Sequence, residues 1–432
     1  MPGQMRTVEL AQSKVEIMPD ISINSATRLP TLLFYDHQAE ISGGEIVLLT
    51  LLESLLVSTR DCFRLVLICP KGPLLERARQ LKGLEIQPIR PLEVGYTLKP
   101  WLILLYLWRI MLVCSNLAFF AWKYQARVIH ANSIRSGLVV CLVAPLLRIK
   151  LIVHLHDALR QTWFDQLIRW LFSRLTWKLV AITSYVQEAI SGGRPALAGK
   201  CVTIYNGIDL ARFDPRHYRA EEERIRLLTE WAATRGYKKE CWPLIALGGQ
   251  ITPWKGHLEA LEALVKLRER FPQASLVVAG STKFVQKSAR YNNAQFKKQL
   301  DHFIQKKGLE EAVWFCGERT EMAALLAGVD LVILPSWVEP FGLVLVEAMA
   351  LECPVVASAA GGPLEVICHG KNGLLFPAKS SLALAEAIEQ LLLNPEDAYQ
   401  MGKTARKTVE SRFSKELMAE QFLELYNQAI IN

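Results

Sequence analysis

Glu339 and Glu347 bracket the stretch "EPFGLVLVEAMA", eight positions apart. Two carboxylates at that distance can serve as an acid and a base, clamp a polyhydroxylated ligand, or simply face water. The residues between them narrow the chemistry. Gly342 lets backbone approach a ligand closely, and "LVLVEAMA" is built of good helix formers. Glu339 therefore belongs to a loop, and Glu347 sits just over one turn inside a helix. The amides that open such a helix, around Phe341, Gly342 and Leu343, lack intrahelical partners and form an anion site. A phosphate held there leaves a carboxylate on either side, free to accept hydrogen bonds from sugar hydroxyls. On spacing alone a plainer alternative stays open: a solvated loop residue and a helix surface residue.

Three other groups follow strands in the same way. In "SGGE", Ser42 and Glu45 make a capping box, and Gly43 and Gly44 let a ligand lie against backbone amides; a capped helix with a permissive turn is the alternative. In "GGQITPWKGH", Lys255 can neutralise a phosphate or stay solvated. In "HLHD", alternation puts His154 and His156 on one face. No third metal ligand accompanies them, so His154 reads as a core histidine and His156, nearer the loop, as the cleft residue.

The elements that must position these residues form two similar series. Short apolar runs at 31–36, 64–70, 126–132, 150–157 and 178–184 alternate with helical stretches. The pattern restarts with runs at 243–249, 275–281, 312–318, 330–336 and 353–362. Buried strands separated by helices mean parallel sheets covered on both faces. The expected organisation is a tail (1–30), a first Rossmann-like domain (31–205), a polar, irregular interdomain segment (206–242), a second Rossmann-like domain (243–413) and a helix (414–432) that returns to the first domain. A chain of 432 residues is too long for one ordinary core, which agrees.

Nine scattered cysteines without a CxxC pair argue for reduced thiols rather than a disulfide or zinc framework. The first thirty residues lack a basic start followed by an apolar core, so no secretory signal is expected there. The formal charge is +8, and it is concentrated. Residues 101–200 hold twelve Lys/Arg against three acids, with six of the eleven tryptophans. That mixture suits an anionic membrane surface; nucleic acid is disfavoured, because no reader motif is present. The stretch "PWLILLYLWRIMLVCSNLAFFAW" (100–122) is nearly long enough to span a bilayer, yet it lies between two strands of one sheet. It is expected to be a helix largely buried on that sheet, with a face available to the membrane. Trp163, Trp170 and Trp177, at heptad spacing, are expected on one helix face near Arg169, Arg174 and Lys178, as a core stripe or as an interfacial anchor.

Taken together, "SGGE", "HLHD", "YNGID" (205–209), "WKG" (254–256), "LPSWVEPFGLVLVEAMA" (334–350), "AAGGPLEV" (359–366) and "GKNGLLF" (370–376) resemble the retaining, sugar-nucleotide-dependent glycosyltransferases of family 4. The resemblance runs over roughly residues 31–430. It implies the GT-B fold: two doubly wound α/β domains facing a deep cleft, with a C-terminal helix crossing back. It also implies roles. Glu347 would bind the donor ribose and Glu339 the transferred sugar near its reacting carbon. The amides of Phe341, Gly342 and Leu343 would meet sugar and phosphate, Lys255 the pyrophosphate, Gly43 and Gly44 the same group from the opposite domain, and His156 the sugar. No cofactor or metal is implied; the nucleotide diphosphate sugar is a co-substrate.

The implied function is transfer of a hexosyl group to a glycan or lipid-linked acceptor, in cell-envelope or exopolysaccharide synthesis. The implied location is cytoplasmic, peripheral at the inner face of the membrane. One position departs from the pattern. Gln250 stands where the family commonly has an arginine, five residues before the lysine of "KG". This supports the alternative of an inactive or weak nucleotide-sugar-binding protein. A nucleotide-sugar epimerase shares the fold and is the third alternative.

Overall fold

The structure is a computed structural model that describes residues 29–59, 62–92, 99–235, 241–282 and 292–431. Almost all of the tail 1–30 and part of the segment 206–242 lie outside the described residues. The first sheet holds β1 (Thr31–Tyr35), β2 (Arg64–Pro70), β3 (Glu85–Ile89), β4 (Ala126–Ala131), β5 (Lys150–Leu155), β6 (Lys178–Ala181) and β7 (Cys201–Thr203), in the order 3-2-1-4-5-6-7. The second holds β8 (Leu244–Gly248), β9 (Ser275–Ala279), β10 (Val313–Gly317), β11 (Leu331–Leu334), β12 (Val355–Ser358) and β13 (Leu374–Phe376), in the order 10-9-8-11-12-13. All neighbouring strands are parallel. Central strands such as "TLLFY" and "LIALG" are buried along their whole length, as helices on both faces require.

These are the two doubly wound domains of the GT-B architecture. In each sheet the strand order reverses once, between β1 and β4 and between β8 and β11. Helices leave such a point toward opposite faces and open a crevice at the carboxyl ends of the strands. The turns after β1, β4, β8 and β11 are therefore where ligand-binding residues belong.

The chain passes between the domains twice, and the two passages lie side by side. Ile208 N donates to Phe413 O and Lys415 N to Ile208 O, both at 2.9 Å. Helix Lys415–Ile431 then lies on the first sheet, burying Met418, Phe422 and Tyr426 against helix Gly43–Ser58 and β4. The expected return of this helix to the first domain is present.

Four expectations are corrected. The segment 206–242 is not irregular throughout: Ala220–Arg235 is a helix. Leu227 and Trp231, one turn apart, face the second domain, and Trp231 stacks on Trp314 at 5.8 Å. Helix Pro100–Lys123 is not largely buried. Of its described side chains only Val113, Leu117 and Ala121 are buried, a single stripe at every fourth position. Trp163 and Trp170 are exposed on helix Trp163–Leu175 and form no core stripe. Trp177 lies past the helix end, where Thr176 is extended, and packs instead under the Lys150 ammonium. Arg169 faces inward: its guanidinium donates to the carbonyls of Ala189 and Ile190 and satisfies the last turn of helix Ser184–Ser191.

Candidate active site

The second domain supplies a loop from each side of its switch point. After β8, the chain turns through Pro253–Lys255 into Gly256. A side chain at Gly256 would collide with Pro335 O at 2.0 Å, so only glycine lets this loop lie against the end of β11. That contact carries Lys255 to Glu339. Lys255 Nζ lies 2.6 Å from Glu339 Oε2, and Ser336 Oγ donates to the same oxygen at 2.8 Å. Glu339 is only 7% exposed and is held at its backbone too: its N donates to Ala360 O at 3.2 Å and its O accepts from Gly362 N at 2.7 Å. The motif "AAGG" thus fixes the loop that bears Glu339.

Helix Leu343–Ala350 begins beside this pair, with Gly342 in the left-handed region at φ 96°. Phe341 is buried, edge-on to Phe413 at 5.7 Å. Glu347 sits one turn in and remains partly open. Burial pushes its carboxyl up to about 7, with the Arg212 guanidinium pulling the other way. Gln250 follows β8 and is half-buried.

The first domain meets these loops from its own switch point. Ser42 and Glu45 form the capping box read from the sequence. A Cβ on Gly43 would touch Leu343 Cδ1 at 3.6 Å, so the glycine turn lies directly against the opening of the helix in the other domain. Gly44 packs on the His156 ring, where a Cβ would sit 3.2 Å from Cδ2. His156 is half-buried and Nε2 pairs with Asn132 Oδ1 at 3.1 Å, which makes Nε2 the protonated nitrogen. Burial lowers its pKa to about 4, against the pull of Asp36, so the ring is neutral at pH 7. His154 is wholly buried among His130, His156 and Phe422, the core position expected for it.

Residues 41–212 match the Glycosyltransferase Family 4 model and residues 237–408 match Glycosyl transferases group 1. The chain belongs to glycosyltransferase family 4. Relatives include spore coat protein SA of Bacillus subtilis, 27% identical over 58% of this chain and 65% of its own length. The D-inositol 3-phosphate glycosyltransferase of Corynebacterium urealyticum is 28% identical over 57% of this chain and 56% of its own. The chain thus spans less than two thirds of the length of these relatives. Among solved structures, Anabaena HepE in complex with UDP and glucose superposes with a TM-score of 0.76 at 24% identity, covering 92% of this chain and 99% of that one. At that identity the likeness is one of fold.

The expected residues follow β1 (Gly43, Gly44), β5 (His156), β8 (Gln250, Lys255) and β11 (Glu339, Phe341, Gly342, Leu343, Glu347), so all but His156 stand at the two switch points. Three further groups nearby have no role assigned by the sequence, although Asp157 and Glu365 lie within the motifs "HLHD" and "AAGGPLEV". Asp36, after β1, and Asn132, after β4, hold His156: Asn132 Nδ2 donates to Asp36 Oδ2 at 2.7 Å and to Gly44 O at 3.2 Å while its Oδ1 takes the His156 proton. Asp157 stands open to the cleft, yet the surrounding protein raises its pKa, and the Glu339 carboxylate adds to the rise while Lys255 and Arg135 oppose it. Glu365 crosses between domains. Its carboxylate accepts from Ser184 N and Tyr185 N at 2.9 Å and from Tyr205 OH at 3.0 Å, covering the open end of helix Ser184–Ser191. Thr183 Oγ1 donates to Pro340 O at 2.9 Å beside it. The strand-end rule would have found Asp36 and Asn132, since both directly follow strands; Glu365 carries no such mark.

Proposed function

We propose that this chain is a retaining transferase that moves a hexosyl group from a nucleotide diphosphate sugar to a glycan or lipid-linked acceptor, in cell-envelope or exopolysaccharide synthesis. The carrying observation is the Lys255–Glu339 pair at the start of helix Leu343–Ala350, facing Gly43, Gly44 and His156 across the cleft. Lys255 and the opening amides of the helix offer the positive field that a diphosphate leaving group needs. Glu339 takes hydroxyls of the sugar and Glu347 those of the ribose. His156, a neutral Nε2–H donor, approaches the sugar from the first domain.

In the step itself the bond from the anomeric carbon to the phosphate oxygen breaks and the acceptor oxygen bonds to the same face. The acceptor proton passes to the departing phosphate, and a nucleotide diphosphate leaves. The protein supplies position and field without a metal, so turnover should survive a chelator. Related chains support a sugar-nucleotide donor: one is a D-inositol 3-phosphate glycosyltransferase and another holds UDP and glucose. Nine free cysteines fit the reducing cytoplasm.

The test is nucleotide diphosphate release from UDP-, GDP- and ADP-sugars with a membrane-lipid extract as acceptor. Release abolished by Glu339→Ala establishes transfer and identifies the donor. Gln250, in place of the usual arginine, favours a second reading, a donor-binding protein without turnover. Release seen only after Gln250→Arg would establish that one instead.

A further inference from the structure

The twelve residues Trp101–Leu112 include no buried side chain, and Trp101 is 63% exposed. Only beyond them does the stripe Val113, Leu117, Ala121 tie the helix to the domain. Apart from Tyr106 and Arg109 the protruding half is apolar: Leu104, Leu107 and Trp108 are exposed as well. So apolar a helix, unburied by its own protein, calls for another apolar medium, with Arg109 long enough to reach headgroups from it. Helix Trp163–Leu175 shows the same at its start, where Trp163 is 80% exposed and Phe164, Leu167 and Trp170 are exposed too. Helix Ile134–Cys141 lies between the two and contacts both.

Topology places these apolar ends. Helix Pro100–Lys123 leads from β3 to β4, and helix Trp163–Leu175 from β5 to β6, all parallel strands of one sheet. Both helices therefore start at the carboxyl edge of the sheet. Gly43, Asn132 and His156 lie at that same edge. Cations stand along it: Lys99 lies over the Trp101 ring at 5.5 Å, Arg135 is exposed in the first turn of helix Ile134–Cys141, and Arg160 is exposed in the turn after β5. Tryptophan beside Lys and Arg is the composition favoured at lipid headgroups, whereas protein interfaces are depleted in Lys. The helix is long and apolar enough to cross a membrane. Its second half is nevertheless packed into the domain, and the chain enters β4 at Ala126 directly afterwards, so it cannot.

We propose that the amino-terminal halves of helices Pro100–Lys123 and Trp163–Leu175 insert together into the interfacial layer of an anionic phospholipid bilayer, with the cleft opening beside the membrane surface. Resting on the transfer reading above, this geometry assigns the acceptor to the bilayer: a lipid-linked hydroxyl reaches the cleft by lateral diffusion, without leaving the membrane.

The test is sedimentation of the full chain with phosphatidylcholine vesicles, with and without phosphatidylglycerol, at low and high salt. Wild type should pellet with the anionic vesicles. Trp101→Glu/Trp108→Glu and Trp163→Glu/Trp170→Glu should each abolish pelleting, whereas Leu382→Glu, on an exposed apolar residue of the other domain, should not. Arg160→Ala should weaken binding about fivefold at low salt. Circular dichroism and a thermal melt confirm that each variant is folded. Wild type staying in the supernatant overturns the proposal, as does pelleting that both tryptophan pairs leave unchanged. A concentration-dependent dimer that Trp101→Glu/Trp108→Glu dissociates, without vesicle binding, assigns the surface to a second copy and overturns it too. Absence of nucleotide diphosphate release from every donor sinks the transfer reading alone and leaves vesicle binding as it stands. Transfer to a lipid-embedded acceptor should fall with the tryptophan variants while transfer to a detergent-dispersed one is kept; equal loss on both overturns the delivery step.

Discussion

Lys255 Nζ stands 2.6 Å from Glu339 Oε2, and each largely buried side chain is the other's charge partner. Without a donor they neutralise one another. A diphosphate drawing the ammonium away would free the carboxylate for sugar hydroxyls at the same moment. Under the proposed function, donor binding and assembly of the sugar site would then be one event.

Removing either partner strands the other. Lys255→Ala should destabilise the protein by about 3 kcal/mol through an unpaired buried carboxylate, and Glu339→Ala by a similar amount. A double variant, Lys255→Met/Glu339→Leu, should recover most of that loss while remaining unable to bind donor. Thermal unfolding beside donor calorimetry measures both; an additive double variant would contradict the coupling.

The proposed ribose-binding role of Glu347 would make donor affinity depend on pH. Its carboxyl titrates near 7, and the carboxylate accepts ribose hydroxyls better than the acid does. Affinity should rise as pH goes from 6 to 8, by up to about tenfold for one charge-assisted bond. Glu347→Gln should flatten that profile. The raised pKa has a stability consequence of the same origin: the folded state holds a proton that the unfolded chain releases above 4.5. Ionisation of Glu347 therefore costs stability up to about pH 7, and Glu347→Gln should raise the melting temperature at pH 8.

The histidines of the first domain act in the opposite direction. Burial lowers His130 to about 3 and His156 to about 4, and holds His154 well below 6.5. Below pH 6.5 the unfolded chain takes up protons there that the folded chain refuses, so stability is full above 6.5 and falls as pH drops toward 4. Melting temperature should decline over that window, and His154→Phe should make the decline shallower. Calorimetry at stepped pH distinguishes this from an unchanged slope.

Glu365 holds the domains together through the start of helix Ser184–Ser191. Glu365→Ala removes a cap worth about 1 kcal/mol and a charge-assisted bond to Tyr205. The domains should separate further, seen as a larger radius of gyration in solution scattering and faster proteolysis, with little change in helix content. An unaltered scattering curve would show that Thr183 and the apolar contacts suffice.

The parts readable from the sequence were those written locally. Buried central strands are continuous apolar runs, and motifs such as "SGGE" and "WKG" stand directly after them, so strand ends located Gly43, Gly44, Lys255, Glu339 and Glu347. Three of the four edge strands escaped, the exception being β10, read as the apolar run 312–318. The "EIQPI" of β3 has a proline and mixed polarity, and β7 and β13 are three residues long at sheet margins. The Asp36–Asn132–His156 chain needs three strands placed side by side, which requires the sheet order. The Glu365 contact joins positions 181 residues apart. Helix Pro100–Lys123 shows a different gap: apolar composition records the need for an oily neighbour but not whether protein or lipid provides it.

The return of helix Lys415–Ile431 to the first sheet sets a timetable for synthesis. Its Met418, Phe422 and Tyr426 cover a face whose His130 leaves the ribosome 296 positions before Tyr426. At about 5–20 residues per second, that face waits roughly fifteen to sixty seconds for its lid. The first domain is therefore born incomplete, an oily sheet with His130 and Phe34 still uncovered until helix Lys415–Ile431 arrives.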